Sequence, residues 1–178
     1  MSIAFIGLGS NLDNPAAHVL RAFSELSELN HTRLVAQSSL YSSKAVGYDD
    51  QPNYINAVAK VESALSPTEM LQQLLEIEAR HGRIRTFQNA PRTLDLDLLI
   101  FDELIVSDIT LKLPHPRMHQ RAFVLHPLIE IEPNCRIPGL GTAKEWVSEC
   151  RDQLVCLLTT MPMNKPCYQE FAINEARS

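Results

Sequence analysis

The segment PRTLDLDLLIF, residues 91 to 101, constrains the fold of this chain more than any other. Leu94, Leu96, Leu98, Leu99, Ile100 and Phe101 form a run suited to a sheet interior, yet Asp95 and Asp97 interrupt it. An ionised carboxylate left unpaired inside a protein is costly enough to protonate instead, so something must compensate both charges. Strand residues two apart point the same way at ~6.6 Å spacing, which sends both carboxylates to one face and the intervening leucines to the other. The segment therefore reads as a strand that presents a diacid.

The flanking sequence supplies the rest of a sheet. SIAFIGLGSN reads as a first strand ending in a Gly turn, followed by a helix with Asn14 as N-cap and Pro15 at its first position. Val19, Leu20, Phe23, Leu26 and Leu29 give that helix one apolar stripe. Leu34, Ala36 and Leu40 mark a second strand ending near Tyr41, and SSKAVGYDDQPN is a polar loop long enough to suggest function. In YINAVAKVESAL, Tyr54, Asn56 and Val58 share one strand face and Ile55, Ala57, Ala59 and Val61 the other. SPTEMLQQLLEIEARHG carries a capping box of Ser66 and Glu69, Pro67 at the first helical position and Gly82 as a stop. Residues 83–92 form a second polar loop before the diacid strand. ELIV and LKLPHP then pair as short strands ahead of a helical QRAFVLH. The order β-α-β-β-α-β predicts a ferredoxin-like α+β sandwich with an antiparallel sheet and C-terminal additions, rather than a doubly wound parallel sheet. One domain is expected over residues 1–162, with 163–178 as a tail packed on it.

Totals bear on partners. The 178 residues, 45% hydrophobic and 21% charged, match one ordinary globular domain, and a net charge of -5 argues against a nucleic-acid coat protein. A small anionic substrate stays compatible, because local arginines override a weakly acidic average. The N-terminus has no basic region ahead of an apolar core, and no apolar run approaches the ~20 residues of a membrane span, so a cytoplasmic protein is expected. Cys135, Cys150, Cys156 and Cys167 form no C-x-x-C pair and read as free thiols.

Three features call for chemistry. Asp95 and Asp97 suit Mg²⁺, which takes one or two carboxylates and completes its shell with water and substrate phosphate; the other reading is a pair of ion pairs at a sheet edge. Arg83, Arg85 and Arg92 precede the diacid, and His115, Arg117, His119 and Arg121 follow it. Such a cluster neutralises phosphate oxygens, which is most of what catalyses phosphoryl transfer, although a solvated basic surface is the alternative. Glu78 falls on an apolar helix stripe with Leu71, Leu74 and Leu75 and needs a partner. Tyr54 and Asn56 offer an aromatic platform and an amide for a flat heterocycle, or else are core. Phe123 on its own looks like core, and His18, His31, His81 and His126 show no partner pattern. The Gly7-Leu8-Gly9 segment lacks the third glycine of a dinucleotide fingerprint, and there is no P-loop or nucleophile elbow.

Together these residues resemble the 6-hydroxymethyl-7,8-dihydropterin pyrophosphokinases of folate biosynthesis. The resemblance runs through IGLGSNL, DQPNYINAV, LLEIEARHGRIR, APRTLDLDLLIF and PHPRMHQRAFVLHPLIEI, over about residues 3–133. It implies transfer of diphosphate from ATP to the pterin hydroxymethyl oxygen, giving AMP, on a ferredoxin-like fold with two Mg²⁺. By position, it assigns metal binding to Asp95 and Asp97. It gives pterin contacts to Ser43, Ala45, Val46, Tyr54, Asn56 and Phe123. ATP contacts fall to Glu78, Arg83, Arg92, Leu98, His115, Arg117 and Arg121, with Arg83 and Arg92 as the catalytic clamps. The chain departs from the family pattern at Gln88-Asn89-Ala90, where some members carry an Arg-Trp pair, at Leu75 in place of a Gln, at Ser43 in place of a Thr, and at Lys44 and Ala45 in place of prolines. The implied partners are ATP and the dihydropterin, with no nucleic acid and no membrane, for a monomer. A non-catalytic pterin or nucleotide sensor and a D-x-D glycosyltransferase are the competing classes.

Overall fold

The computed structural model describes residues 1–44, 52–83 and 91–158. Strand β1 (Ser2–Ser10) leads into helix α1 (Pro15–Ser27), then β2 (Thr32–Gln37), β3 (Tyr41–Ser43) and β4 (Tyr54–Ser63). Helix α2 (Pro67–Arg80) and strand β5 (Asp95–Phe101) complete the core. β1 lies between β4 and β5, and the far edge of β4 is shared by β2 and β3. All these pairings are antiparallel, and the order β5-β1-β4-β2 is that of the ferredoxin-like sandwich the sequence predicted.

The sheet buries both faces. Ala4, Ile6, Leu8, Ala57, Ala59, Val61, Leu96 and Leu98 meet Val19, Phe23 and Leu26 of α1 and Met70, Leu74 and Ile77 of α2. Each fully buried aliphatic side chain there contributes on the order of 1.5–3 kcal/mol. The C-terminal additions build a second layer on the opposite face. After the hairpin of β6 (Val106–Ser107) and β7 (Lys112–Leu113) come a 3-10 turn (Met118–Gln120) and helix α3 (Ala122–Ile131). Strands β8 (Arg136–Ile137) and β9 (Gly141–Thr142) form a small ribbon, helix α4 (Ala143–Glu149) follows, and β10 (Val155–Leu157) extends the main sheet beside β3. Leu125 and Leu128 of α3 pack here on Phe5, Val58, Leu99 and Ile100.

Several local expectations change. β1 runs straight through Gly7 and Gly9 instead of turning there. Asn14 occupies the N-cap position of α1 in a left-handed conformation, with no side-chain cap, and Leu20 is exposed while Ala22 takes its place on the buried stripe. The second strand is two strands, β2 and β3, because the chain breaks at Ser38, whose backbone and hydroxyl both bond to Val58. The capping box on α2 and the left-handed Gly82 after it are as read, but Leu75 faces outward. His18 and His81 are partners after all: their Nδ1 atoms lie 2.7 Å apart, and His81 Nε2 is 2.7 Å from Glu25 Oε2. The readings that fall on Ala45, Val46, Arg85, residues 88–90 and the tail from 159 lie outside the described residues. Among the described residues, no helix is long and apolar enough to cross a membrane.

Candidate active site

Strand register builds the floor of the site. Asn56 of β4 pairs with Gly9 of β1, which pairs with Asp95 of β5; Val58, Gly7 and Asp97 form the next row. All six residues share the face that α3 covers farther along; the Leu99 side chain packs over Gly7, 3.4 Å from where a Cβ would stand, whereas the Gly9 row carries no side chain on the central strand. Alternation thus leaves a trough, with Tyr54 and Asn56 on one bank and the two aspartates on the other. A Cβ at Gly9 would stand 3.6 Å from Asn56 Oδ1 and 4.0 Å from Asp95 Cβ, ordinary contacts that would nonetheless fill the trough. Glycine is needed here for space, not for a turn.

The two aspartates face different partners. Asp95 is held from both sides: Oδ1 is 2.5 Å from Arg83 Nη1 and Oδ2 is 2.6 Å from Arg92 Nη1. Asp95 thus makes the ion pairs at a sheet edge that the sequence left as the other reading. Among the described residues, Asp97 has only longer contacts, 3.6 Å to Arg121 and 3.8 Å to His115. Burial, and then the neighbouring Asp95, push its carboxyl up to about 6. His115 moves the opposite way, to about 4, because burial and the adjacent Arg121 and Arg117 disfavour a further cation. Its contact with Asp97 is thus between a neutral ring and a carboxylate near neutral pH.

Glu78 explains how α2 reaches the trough. It is 3% exposed, and Oε1 accepts the Leu96 main-chain N–H at 2.8 Å while also meeting Arg83 Nη1. A carboxylate on an apolar stripe is tolerable because it binds one cation and one strand N–H that β5, as a sheet edge, leaves unpaired. Arg83 is thereby shared between Glu78 and Asp95.

Arg92 packs its guanidinium 5.8 Å from the Tyr54 ring centroid, and Arg121 lies 5.6 Å from that of Phe123. Phe123, read as core from its sequence, is only partly buried beside the second cluster. Asn56 is 4% exposed and donates from Nδ2 to Ser43 Oγ at 2.9 Å, joining β4 to the end of β3. His115 sits beside the diacid because a bulge at Leu99 in β5 frees the Leu99 carbonyl to accept the His115 N–H at 2.8 Å. Arg117 is exposed on the rim. Leu98 points into the α1–α2 core, opposite the aspartates, so its main chain alone borders the site.

Sequence reasoning missed Gly7, Gly9 and Asn11. Asn11 is 2% exposed, accepts the Arg92 N–H at 2.9 Å and donates to the Pro52 carbonyl at 3.3 Å. The signal was present in GLGSN: alternate glycines in an otherwise apolar strand mark close approach or open space. Which of the two applied depended on the strand's neighbours.

A diacid, shared arginines and an opposed aromatic–amide pair, on one face of a ferredoxin-like sandwich, define a transferase for a phosphate-bearing group. The profile of the 7,8-dihydro-6-hydroxymethylpterin-pyrophosphokinase family matches residues 5–133. The chain belongs to that family and is accordingly a pyrophosphokinase of folate biosynthesis. It is 43% identical over 152 residues to the 2-amino-4-hydroxy-6-hydroxymethyldihydropteridine pyrophosphokinase of Haemophilus influenzae, covering 85% of this chain and 95% of the relative. With the protein of the same name from Pseudomonas aeruginosa it shares 41% identity over 146 residues, 82% of this chain and 90% of that one. The fold is also similar to the crystal structure of Plasmodium falciparum HPPK-DHPS, with a TM-score of 0.64 at 14% identity over 85% of this chain. This chain spans 44% of that longer protein, and the likeness there concerns the fold alone.

Proposed function

We propose that this chain transfers the terminal diphosphate of ATP to the hydroxymethyl oxygen of 6-hydroxymethyl-7,8-dihydropterin, releasing AMP, and that the trough is where it does so. Tyr54 and Phe123 would hold the pterin ring, with Asn56 reading its polar edge; Ser43, Ala45 and Val46 are assigned to the pterin by the family resemblance. Glu78, Arg83, Arg92, His115, Arg117, Arg121 and the main chain at Leu98 would meet ATP. The trough floored by Gly9, with a diacid on one bank and Tyr54 and Asn56 on the other, carries this reading, because it faces an anion site toward a flat-ring site across one strand.

The donor set fits Mg²⁺. Two carboxylates side by side, one of them pushed up to about 6 by burial and by its neighbour's charge, are what Mg²⁺ uses when substrate phosphates complete its shell. Among the described residues, no three His, Cys, Asp or Glu side chains converge into a protein-only cage. Asp95 and Asp97 would hold the family's two Mg²⁺, which neutralise phosphate charge and make the phosphorus more electrophilic.

The protein's own side chains do the rest. Asp95 holds Arg83 and Arg92 at ion-pair distance. With ATP present, the two guanidiniums exchange that carboxylate for phosphate oxygens and meet the charge that develops on the transferred group. Glu78 keeps Arg83 aimed during the exchange, since it binds the same Nη1 from the helix side. Neutral His115 donates or accepts a hydrogen bond without adding repulsion to the arginine cluster. The net charge of -5 suits small substrates better than a nucleic acid, and we read the protein as a cytoplasmic monomer of one domain over residues 1–162.

The test is product analysis with purified protein, ATP, the dihydropterin and Mg²⁺. AMP and the pterin diphosphate are expected. ADP as the nucleotide product would mean transfer of a single phosphoryl group, and substrate binding with no turnover would mean a sensor.

A further inference from the structure

Asn11 stands at the end of β1, where three segments meet, and nothing in the transfer chemistry requires it. Its side-chain Oδ1 accepts the Arg92 N–H at 2.9 Å, and its own N–H donates to the Arg92 carbonyl at 3.1 Å. Next to it, Ser10 Oγ donates to the Thr93 carbonyl at 2.5 Å. The Arg92–Thr93 backbone is therefore pinned by three bonds to two consecutive residues. From the other end of the same amide, Nδ2 donates to the Pro52 carbonyl at 3.3 Å. Pro52 lies two residues before Tyr54, and the Arg92 guanidinium lies over the Tyr54 ring, 5.8 Å from ring centroid to Cζ. The contacts close a ring: Asn11 to Pro52, along the chain to Tyr54, across to Arg92, and back to Asn11.

We propose that Asn11 is a positioning residue that couples the pterin side of the site to the ATP side, so that ordering Arg92 on phosphate also orders Tyr54 for the ring. The proposal rests on the assignment of Tyr54 to pterin and Arg92 to ATP made above. An amide is the side chain this role requires. It carries an acceptor and a donor on one rigid plane, and at 2% exposure neither can be left unmade without a desolvation cost. Aspartate keeps the acceptor for Arg92 but turns an oxygen toward the Pro52 carbonyl. Alanine removes both bonds.

The measurement is calorimetric titration of the full chain with the dihydropterin, alone and in the presence of Mg²⁺ and a non-hydrolysable ATP analogue. The ratio of the two affinities is the coupling factor. Asn11→Asp should lose about fivefold or more in coupling, since it gives up one hydrogen bond and sets a buried carboxyl oxygen against the Pro52 carbonyl. Asn11→Ala should lower kcat by roughly 100-fold through misplacement of Arg92, and should add nothing further in an Arg92→Ala background. Wild-type coupling in Asn11→Asp, or multiplying losses in the double variant, overturns the proposal. So does an equal fall in every affinity accompanied by a lower melting temperature, which is what a merely structural role produces. Tyr54→Ala and Arg92→Ala run alongside: if neither changes pterin affinity or turnover, the assignment beneath the proposal is wrong, and the proposal falls with it.

Discussion

Exchanging Asp97 for Asn should make the ligand-free protein more stable, while the same exchange at Asp95 should make it less so. The difference follows from their partners. Asp95 sits 2.5 Å and 2.6 Å from two guanidiniums, so Asp95→Asn leaves Arg83 and Arg92 facing each other without their shared counter-charge. Among the described residues no cation lies closer to Asp97 than 3.6 Å, and burial and Asp95 raise its pKa from 3.8 to about 6. A shift of that size corresponds to ~3 kcal/mol of strain in the ionised form, but the side chain is 35% exposed, and solvent screening reduces this to about 1 kcal/mol. For a chain of this length, that raises Tm by roughly 2–4 °C. The pH dependence has a definite sign. Because the folded pKa lies above the unfolded one, the native state binds the proton more tightly between about pH 4 and about pH 6. Stability from this group is present below that window and lost as pH rises through it. Thermal melts in a chelator at about pH 7.5 and about pH 4 test the reasoning: Asp97→Asn should melt above wild type at the higher pH, and the gap should close at the lower. A variant that melts below wild type at about pH 7.5, or a gap that ignores pH, would refute it. Adding Mg²⁺ and ATP should reverse the order, since only wild type gains from binding, and both variants should lose turnover.

Tyr54→Ala should weaken pterin binding by about 1–3 kcal/mol through lost stacking and leave ATP affinity nearly unchanged; equal losses in a paired calorimetric titration would indicate a folding defect instead. Arg92→Ala should cut turnover far more than ground-state ATP affinity if its guanidinium meets charge that develops during transfer, and matched losses in kcat and binding would make it a binding residue only. Glu78→Ala should cost about 2–4 kcal/mol in denaturant unfolding, because it strands a buried Leu96 N–H and leaves Arg83 with one counter-ion; Glu78→Gln, which keeps the acceptor for Leu96, should recover part of the loss.

Much of this protein is written locally. Alternation in β4, the Ser66–Glu69 capping box and the left-handed glycine after α2 depend on contacts within a few residues, so they can be read from the chain without knowing its neighbours. The diacid is legible for the same reason: period-two geometry alone sends Asp95 and Asp97 to one side and Leu96 and Leu98 to the other. Glu78, too, announces a partner by standing on an apolar stripe. Which partner it has is a different kind of fact. The bond from Glu78 to Leu96 spans 18 residues and that from Asn11 to Arg92 spans 81, and both exist only once β1 lies between β4 and β5. Sheet order likewise turned Gly7 and Gly9 from an apparent turn into a close-packed position under Leu99 and the floor of a trough, since an empty position in a strand has meaning only through the side chains of the strands beside it. The bulge at Leu99 that delivers His115, and the unequal pairing of the two aspartates, belong to the same class. Their causes are contacts across the sheet, whose cost and gain are set by chain segments that no local window contains, so the sequence by itself determined the elements and the diacid, and tertiary packing decided what they face.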